Sequence, residues 1–339
     1  MSQPTPRTRP RQSRRTVSII GTGSYVPEKV LTNADLEKMV ETSDEWITSR
    51  TGIKERRIAA ADEATSDLAA KAALAAMQDA GIEAEEIDLI LVATVTPDMF
   101  FPSTACFVQN KIGAKNAACF DVSAACAGFL YTLEIAQQFI TSHTYDTILV
   151  IGAEKLSSIV DWKDRNTCVL FGDGAGAAVL RHRGGAHGVI STYMASDGGL
   201  SDILYIPGGG SRFPLTAANA GDGLNCIKMN GKETYKYAVT SMLDAAHRAL
   251  ADANLDAADL ACIIPHQANL RIIEAIADRM KVPMERFMIN LDRYGNTSAA
   301  AVAIALDEAA RTGRMKEGDY ILLVVFGGGL TWASSVIQW

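Results

Sequence analysis

Apolar residues along the chain gather in short, nearly continuous runs at Thr16–Ile20, Ile87–Val95, Thr147–Ile151, Leu260–Ile264 and Tyr320–Phe326. Runs of that length without polar alternation predict strands covered on both faces. Between them lie Ala-rich stretches that read as helices: Ser66–Ala80, Gly128–Ile140, Thr234–Ala251 and Ala299–Ala310. The alternation predicts an α/β fold with buried strands.

The pattern also repeats. Asp79-Ala80-Gly81-Ile82-Glu83-Ala84, leading through Ile87 into a strand, returns 173 residues later as Asp252-Ala253-Asn254-Leu255-Asp256-Ala257, leading through Leu260 into a strand. Asp146 with Thr147-Ile148-Leu149-Val150 returns at the same offset as Asp319 with Tyr320-Ile321-Leu322-Leu323. A third match sets the strand Cys119–Val122 and the helix from Gly128 against a strand Met288–Leu291 and the helix from Ser298, which places Cys126 opposite Asn296. Three matches in order predict two similar βα halves packed as one body, 16–183 and 184–339, meeting near Arg183-Gly184-Gly185.

Composition narrows the class. With 48% apolar and 7% aromatic residues the chain is an ordinary globular protein, and no apolar run approaches the roughly 18 residues of a membrane helix. Arg7, Arg9, Arg11, Arg14 and Arg15 meet no acid in the first fifteen residues, so the formal charge of −7 becomes −12 for the rest. Segment 1–15, rich in Pro, Ser and Arg, reads as a disordered tail. The acidic body argues against nucleic acid as a partner. Cys106, Cys119, Cys126, Cys168, Cys226 and Cys262 form no CxxC pair and no Cys/His metal spacing, so reduced thiols in a cytoplasm are expected and no metal site.

Three residues stand where an α/β sheet presents its ligand-binding edge. Cys126, in Ser123-Ala124-Ala125-Cys126-Ala127-Gly128, sits between a strand and a helix, where the positive end of the helix dipole would favour a thiolate and lower its pKa. In isolation a small buried cysteine is core packing more often than a nucleophile, by roughly two to one. His266 follows the strand Leu260–Ile264 through Pro265, and Asn296 occupies the position of Cys126 in the other half. The trio supplies a nucleophile and two uncharged or cationic donors, and no carboxylate base. Phe171-Gly172-Asp173-Gly174-Ala175-Gly176 and Gly21-Thr22-Gly23 lack the spacing of a dinucleotide fingerprint and read as tight turns. Phe326-Gly327-Gly328-Gly329 ends the last strand, where a bare backbone N–H can approach a ligand oxygen or another element can cross closely.

Taken together, these segments resemble the thiolase-fold condensing enzymes, and among them the β-ketoacyl-acyl-carrier-protein synthase III family. The likeness runs from about Thr16 to Trp339 through Thr42–Ile47 with Arg50-Thr51-Gly52-Ile53, Asp121–Phe129, Phe171–Ala177, His266–Arg271, Gly295–Ser298 and Phe326–Trp332. Asn166 after Arg165 and Ala333 after Trp332 depart from the usual Gly. The resemblance implies thiolase-like duplicated βα halves in a layered αβαβα body, and an acyltransferase that condenses a short acyl-CoA, acetyl-CoA foremost, with malonyl-acyl carrier protein to begin fatty-acid synthesis. Cys126 would carry the acyl group, the N–H groups of Cys126 and Gly328 would form the oxyanion hole, and His266 and Asn296 would stabilise the enolate. Trp46, Arg50, Arg165 and Asn269 would hold coenzyme A, with Trp46 and Arg165 sandwiching the adenine. Phe171 would line the acyl pocket, and Phe101 would close that of a partner across a homodimer interface. Lys236, Arg271 and Arg279 would dock the acidic carrier protein. No cofactor is implied, since CoA thioesters are substrates.

Related chemistries fit less well. A biosynthetic thiolase wants a second catalytic cysteine near the last strand, and 327–339 hold none; a hydroxymethylglutaryl-type synthase wants an acidic base that the sequence does not place. A specialised-metabolism synthase with another starter or acceptor remains the principal alternative. A non-catalytic scaffold would lack the nucleophile, and an NAD-dependent oxidoreductase would need the absent fingerprint.

Overall fold

The computed structural model describes residues 16–184 and 187–339. The Arg-rich segment 1–15 and Gly185 at the expected junction lie outside the described residues.

The buried runs form two sheets. In the first, the strands stand in the order Val17–Tyr25, Asp173–His182, Thr147–Lys155, Leu89–Ala93, Ala118–Val122. Leu89–Ala93 runs parallel to both its neighbours, and Asp173–His182 runs antiparallel to both of its own. The second sheet has the order Gly188–Ser196, Thr331–Gln338, Tyr320–Gly327, Leu260–Pro265, with the same succession of directions. The duplication is therefore one of topology as well as sequence. Short 3₁₀ turns at Ala84–Glu86 and Ala257–Asp259 open equivalent strands at the offset read from the sequence.

One expected strand is missing. In place of Met288–Leu291 the second sheet has an isolated bridge between Ile263 and Phe287, with the Met288 amide donating to the Ile263 carbonyl at 2.8 Å. The chain then turns into a short helix, Leu291–Tyr294. Two strands the sequence did not announce, Gly188–Ser196 and Thr331–Gln338, complete the second sheet.

Strand alternation builds the layers. Leu89 and Leu91 point into one core and Ile90 and Val92 into another, while Ile321, Leu323 and Val325 face away from Leu322, Val324 and Phe326. The shared middle core holds the helices Gly128–Thr141 and Ala299–Arg311, sandwiched between the sheets. Outer helices cover the free faces: Thr65–Ala80 and Thr104–Ile112 on the first sheet, Gly231–Ala253 and Leu270–Met280 on the second. The result is the five-layered αβαβα body.

The glycine segments do other work than turning the chain. Gly21, Gly23, Gly174 and Gly176 lie inside strands, and the Ala-rich helices settle directly on that bare backbone. At Gly152 the fit is tightest, because a Cβ there would lie 2.2 Å from the carbonyl oxygen of Ala299. That contact seats the N-terminus of the Ala299–Arg311 helix close to Cys126.

Candidate active site

After the Ala118–Val122 strand the chain enters a single 3₁₀ turn, Ala125–Ala127, which runs straight into the Gly128–Thr141 helix. Ala125 adopts φ of 46°, a left-handed conformation costing on the order of 1 kcal/mol for a residue with a Cβ. The bend puts Cys126 at the helix N-terminus, as the sequence predicts, with 6% of its surface exposed. Its titration runs opposite to the expectation. Burial pushes the thiol up to about 12, a hydrogen bond from Ser298 opposes the rise, and the charge of Glu154 adds to it. A helix terminus contributes a fraction of a charge, and the loss of water around a thiolate outweighs it here.

His266 follows the strand that ends at Pro265 and continues its pairing, its amide donating to the Val324 carbonyl at 2.8 Å. The ring is buried, and burial lowers its pKa to about 4, so it is a neutral imidazole at physiological pH. Asn296 is fixed by its backbone, which bridges Leu170 and Gly172, and by its side chain, whose Oδ1 accepts the Ser298 amide at 2.9 Å. With the oxygen so used, the amide nitrogen is left to donate elsewhere. The site thus holds two neutral donors.

Two cavities reach Cys126. The larger, about 670 Å³, is lined at its inner end by Cys126, His266 and Asn296 and at its outer end by Trp46, Arg50, Asn269 and Arg271. The smaller, about 360 Å³, is lined by Val95, Leu156, Ile159, Ile206 and Ile227 and by Ser298 and Gly328. Cys126, Phe171 and Leu204 border both.

The sequence-read residues distribute themselves unevenly around these spaces. Trp46 and Arg50 are one turn apart on the Asp44–Thr51 helix, and the Arg50 guanidinium lies 4.5 Å from the indole centroid. Arg165 stacks on the same ring at 5.2 Å and donates to the Glu41 carbonyl. An aromatic base between Trp46 and Arg165 needs two contact spacings of about 3.5 Å each, so the sandwich is closed here and Arg165 must swing aside to admit one. Asn269 lines the large cavity while its side-chain oxygen caps the Leu270–Met280 helix at the Arg271 amide. Arg271 is at the cavity rim, Lys236 is exposed beside Glu233 at 3.7 Å, and Arg279 sits at the far end of the same helix as Arg271. Eight residues at about 1.5 Å each hold those two arginines some 12 Å apart along the axis. Lys232, which the sequence reading passed over, is on the rim instead. Phe101 borders neither cavity and is 83% exposed, next to Phe100 at 86%.

Two further residues escaped the sequence. Ser298 has φ of 49° and ψ of −120°, and its hydroxyl donates to Glu154 Oε1 at 3.0 Å instead of capping the following helix. Glu154 is a wholly buried carboxylate at the end of the Thr147–Lys155 strand. The only sign of it was a charge at the end of an otherwise apolar run, which reads equally well as a strand leaving the core. Among the described residues no group of His, Cys, Asp and Glu is arranged to hold a metal ion, and no helix is long and apolar enough to cross a membrane.

Family profiles described as 3-oxoacyl-[acyl-carrier-protein (ACP)] synthase III and its C-terminal part match residues 120–198 and 250–339. The beta-ketoacyl-[acyl-carrier-protein] synthase III of Caldanaerobacter subterraneus is 58% identical over 95% of this chain and 97% of its own. The crystal structure of 3-oxoacyl-[acyl-carrier-protein] synthase III from Aquifex aeolicus superposes with a TM-score of 0.89 at 48% identity, covering 95% of this chain and all of that one. The priming β-ketosynthase of the R1128 polyketide pathway also reaches 0.89, at 35% identity over 98% of this chain and 99% of its own. The chain belongs to the β-ketoacyl-acyl-carrier-protein synthase III family of thiolase-fold, acyl-transferring condensing enzymes.

Proposed function

We propose that this chain opens fatty-acid synthesis by a two-stage Claisen condensation at Cys126, and that its halves, 16–183 and 184–339, divide the work. In the first stage the Cys126 sulfur attacks the carbonyl of a short acyl-CoA, acetyl-CoA foremost. The oxyanion is held by the N–H groups of Cys126 and Gly328, coenzyme A leaves, and the acyl group remains on sulfur in the smaller cavity beside Phe171. In the second stage malonyl-acyl carrier protein delivers its arm down the larger cavity and loses CO2. His266 and the Asn296 amide donate to the enolate oxygen, and the carbanion attacks the acyl carbon to give 3-oxoacyl-acyl carrier protein. Neutral donors suit that step because decarboxylation itself supplies the electron pair and no base is needed.

The observation that carries this reading is the placement of Cys126 where two cavities meet, with His266 and Asn296 on the larger one. Trp46, Arg50, Arg165 and Asn269 would bind the coenzyme along that cavity. Arg271 at its mouth would steer an acidic carrier protein toward an otherwise acidic enzyme, with the exposed Lys236 and Arg279 further out. The exposed Phe101 would enter the acyl pocket of a second copy, making the working form a cytoplasmic homodimer. No cofactor is required.

Incubation with acetyl-CoA followed by peptide mass spectrometry tests the first stage. A 1:1 acetyl adduct on the peptide holding Cys126, absent from Cys126→Ala, supports it; no adduct overturns it. A second reading, a priming synthase of specialised metabolism, draws on the likeness to the R1128 enzyme. Turnover with malonyl-CoA but not with malonyl-acyl carrier protein would favour it, and an acyl-CoA panel compared by kcat/KM sets the starter.

A further inference from the structure

Arg56, on the short strand Glu55–Ile58, is a charged side chain with no exposure at all. Each oxygen it reaches is neutral. Its Nη1 donates to Asn33 Oδ1 at 2.9 Å and to the Leu31 carbonyl at 3.1 Å, and its Nη2 donates to the Val169 carbonyl at 2.7 Å. The Nε finds no partner among the described residues, and the adjacent Glu55 turns to Arg57 at 3.7 Å. Burial lowers the guanidinium pKa to about 10, which leaves it a cation at neutral pH. An apolar side chain of similar bulk would fill the space at less cost, because it brings no charge to desolvate. What the cation holds explains its presence.

It holds the segment on which Asn296 rests. The Val169 carbonyl opens a stretch, 169–172, that pairs with the Asn296 backbone: the Asn296 amide donates to the Leu170 carbonyl at 2.8 Å, and the Gly172 amide donates to the Asn296 carbonyl at 3.1 Å. Arg56 lies directly against that pairing. A Cβ at Gly172 would come within 3.0 Å of the Arg56 Cβ, and one at Gly295 within 3.2 Å of the same atom and 2.8 Å of the Leu170 carbonyl oxygen. Gly295 has φ of 64° and ψ of −159°, a region that only glycine occupies without strain. The stem of Arg56 thus lies along the two glycines that flank the Phe171–Asn296 bridge, while its guanidinium anchors the carbonyl next to Leu170. The neighbouring Lys54 amide adds a second tie, donating at 3.0 Å to the Asp292 carbonyl in the short helix that leads into Gly295.

We propose that Arg56 is a positioning residue for Asn296, fixing the backbone from which the Asn296 amide is aimed at the enolate oxygen. The proposal rests on the second stage as described above and gives Arg56 no contact with substrate. Asn296 Oδ1 is already committed to the Ser298 amide two residues on, so the direction of its amide nitrogen follows the backbone, and the backbone follows the 169–172 segment. The other reacting groups stand on different supports. His266 is tied to Val324, and Cys126 lies against the backbone at Gly327. Asn33, which accepts from Arg56, keeps its own bonds to Asp44 Oδ1 and the Ile53 carbonyl, both at 2.8 Å, and so steadies the Asp44–Thr51 helix independently. Arg56 therefore serves decarboxylation, and neither acylation nor coenzyme binding depends on it.

The test measures the two stages separately: Cys126 acylation by acetyl-CoA, and CO2 release from malonyl-acyl carrier protein. The shortest acyl group is used because Phe171 shares the clamped segment. Arg56→Gln should slow CO2 release roughly a hundredfold, the cost of misplacing a donor by about 1 Å, while the acylation rate and the KM for acetyl-CoA stay within a factor of two of wild type. Arg56→Lys, which keeps the charge and most of the stem, should recover about tenfold of that loss. In an Asn296→Ala background Arg56→Gln should cost nothing further, because the group it aims is gone. Additive losses in that background overturn the proposal, as do equal slowing of both stages or wild-type CO2 release by Arg56→Gln. Asn33→Ser leaves the guanidinium in place and removes its amide acceptor, and should give the same split to a smaller extent. Where neither Arg56 variant folds by circular dichroism, Asn33→Ser decides: slowed CO2 release with normal acylation at saturating acetyl-CoA supports the proposal, and no such split, or loss of the fold there too, overturns it. A wild type that releases no CO2 from malonyl-acyl carrier protein overturns the condensing mechanism itself, a result distinct from any pattern among the variants.

Discussion

The Cα of Gly327 faces the backbone nitrogen of Cys126 so closely that a Cβ there would lie 2.7 Å from it. The Tyr320–Gly327 strand of the second half thus sets the position of the nucleophile in the first. Gly327→Ala should push the turn at Cys126 outward, and a displacement of that kind costs about a hundredfold in a step that depends on alignment. Acetyl-adduct formation measured against time should show the loss, with circular dichroism confirming a retained fold.

His266→Ala and Asn296→Ala should leave Cys126 acylation near wild type and slow malonyl decarboxylation by roughly a hundred- to a thousandfold each, the usual cost of removing one donor to a developing oxyanion. Radiolabelled CO2 release, measured beside acylation, separates the two stages. Equal loss of both would reverse the division of roles.

The same histidine makes stability depend on pH. Its folded pKa, lowered by burial to about 4, lies below the ordinary value of 6.5, so between those values the unfolded chain binds more protons. The His266 contribution is complete above about pH 6.5 and is lost as pH falls toward 4. Urea midpoints taken across that window should drop less steeply for His266→Asn than for wild type.

Trp46 carries two guanidinium groups on its faces, and neither touches the reacting atoms. Trp46→Ala should raise KM for the acyl-CoA about tenfold, the equivalent of one partly desolvated cation–π contact, while kcat with saturating acyl-CoA stays within a factor of two. A fall in kcat alone would mean that the indole serves the chemistry.

Much of the architecture was readable because buried strands and Ala-rich helices leave dense apolar patterns, and because the fold is written twice. Reading failed where the pattern is mixed. Thr331–Gln338 buries Ser334 and Ser335 within the sheet, and Gly188–Ser196 alternates with exposed positions, so neither forms a continuous apolar run. Cys126, His266 and Asn296 could be picked out together because the repeat aligned their strand ends. Ser298 and Glu154 could not, since their meeting depends on a left-handed backbone at one and complete burial of the other. The thiol direction was misjudged for a related reason: a helix terminus is local and visible in sequence, whereas the depth at which it lies is not.

The narrow meeting place of the two cavities imposes an order of events. Cys126, Phe171 and Leu204 are the residues common to both walls, so a group bonded to the sulfur and lodged in the smaller space leaves the larger one empty for whatever arrives next. Two bulky carriers that share one corridor must therefore take turns, the first departing before the second can deliver. Ping-pong kinetics, with parallel double-reciprocal lines and inhibition by excess of either thioester, is the behaviour that this plan of rooms requires.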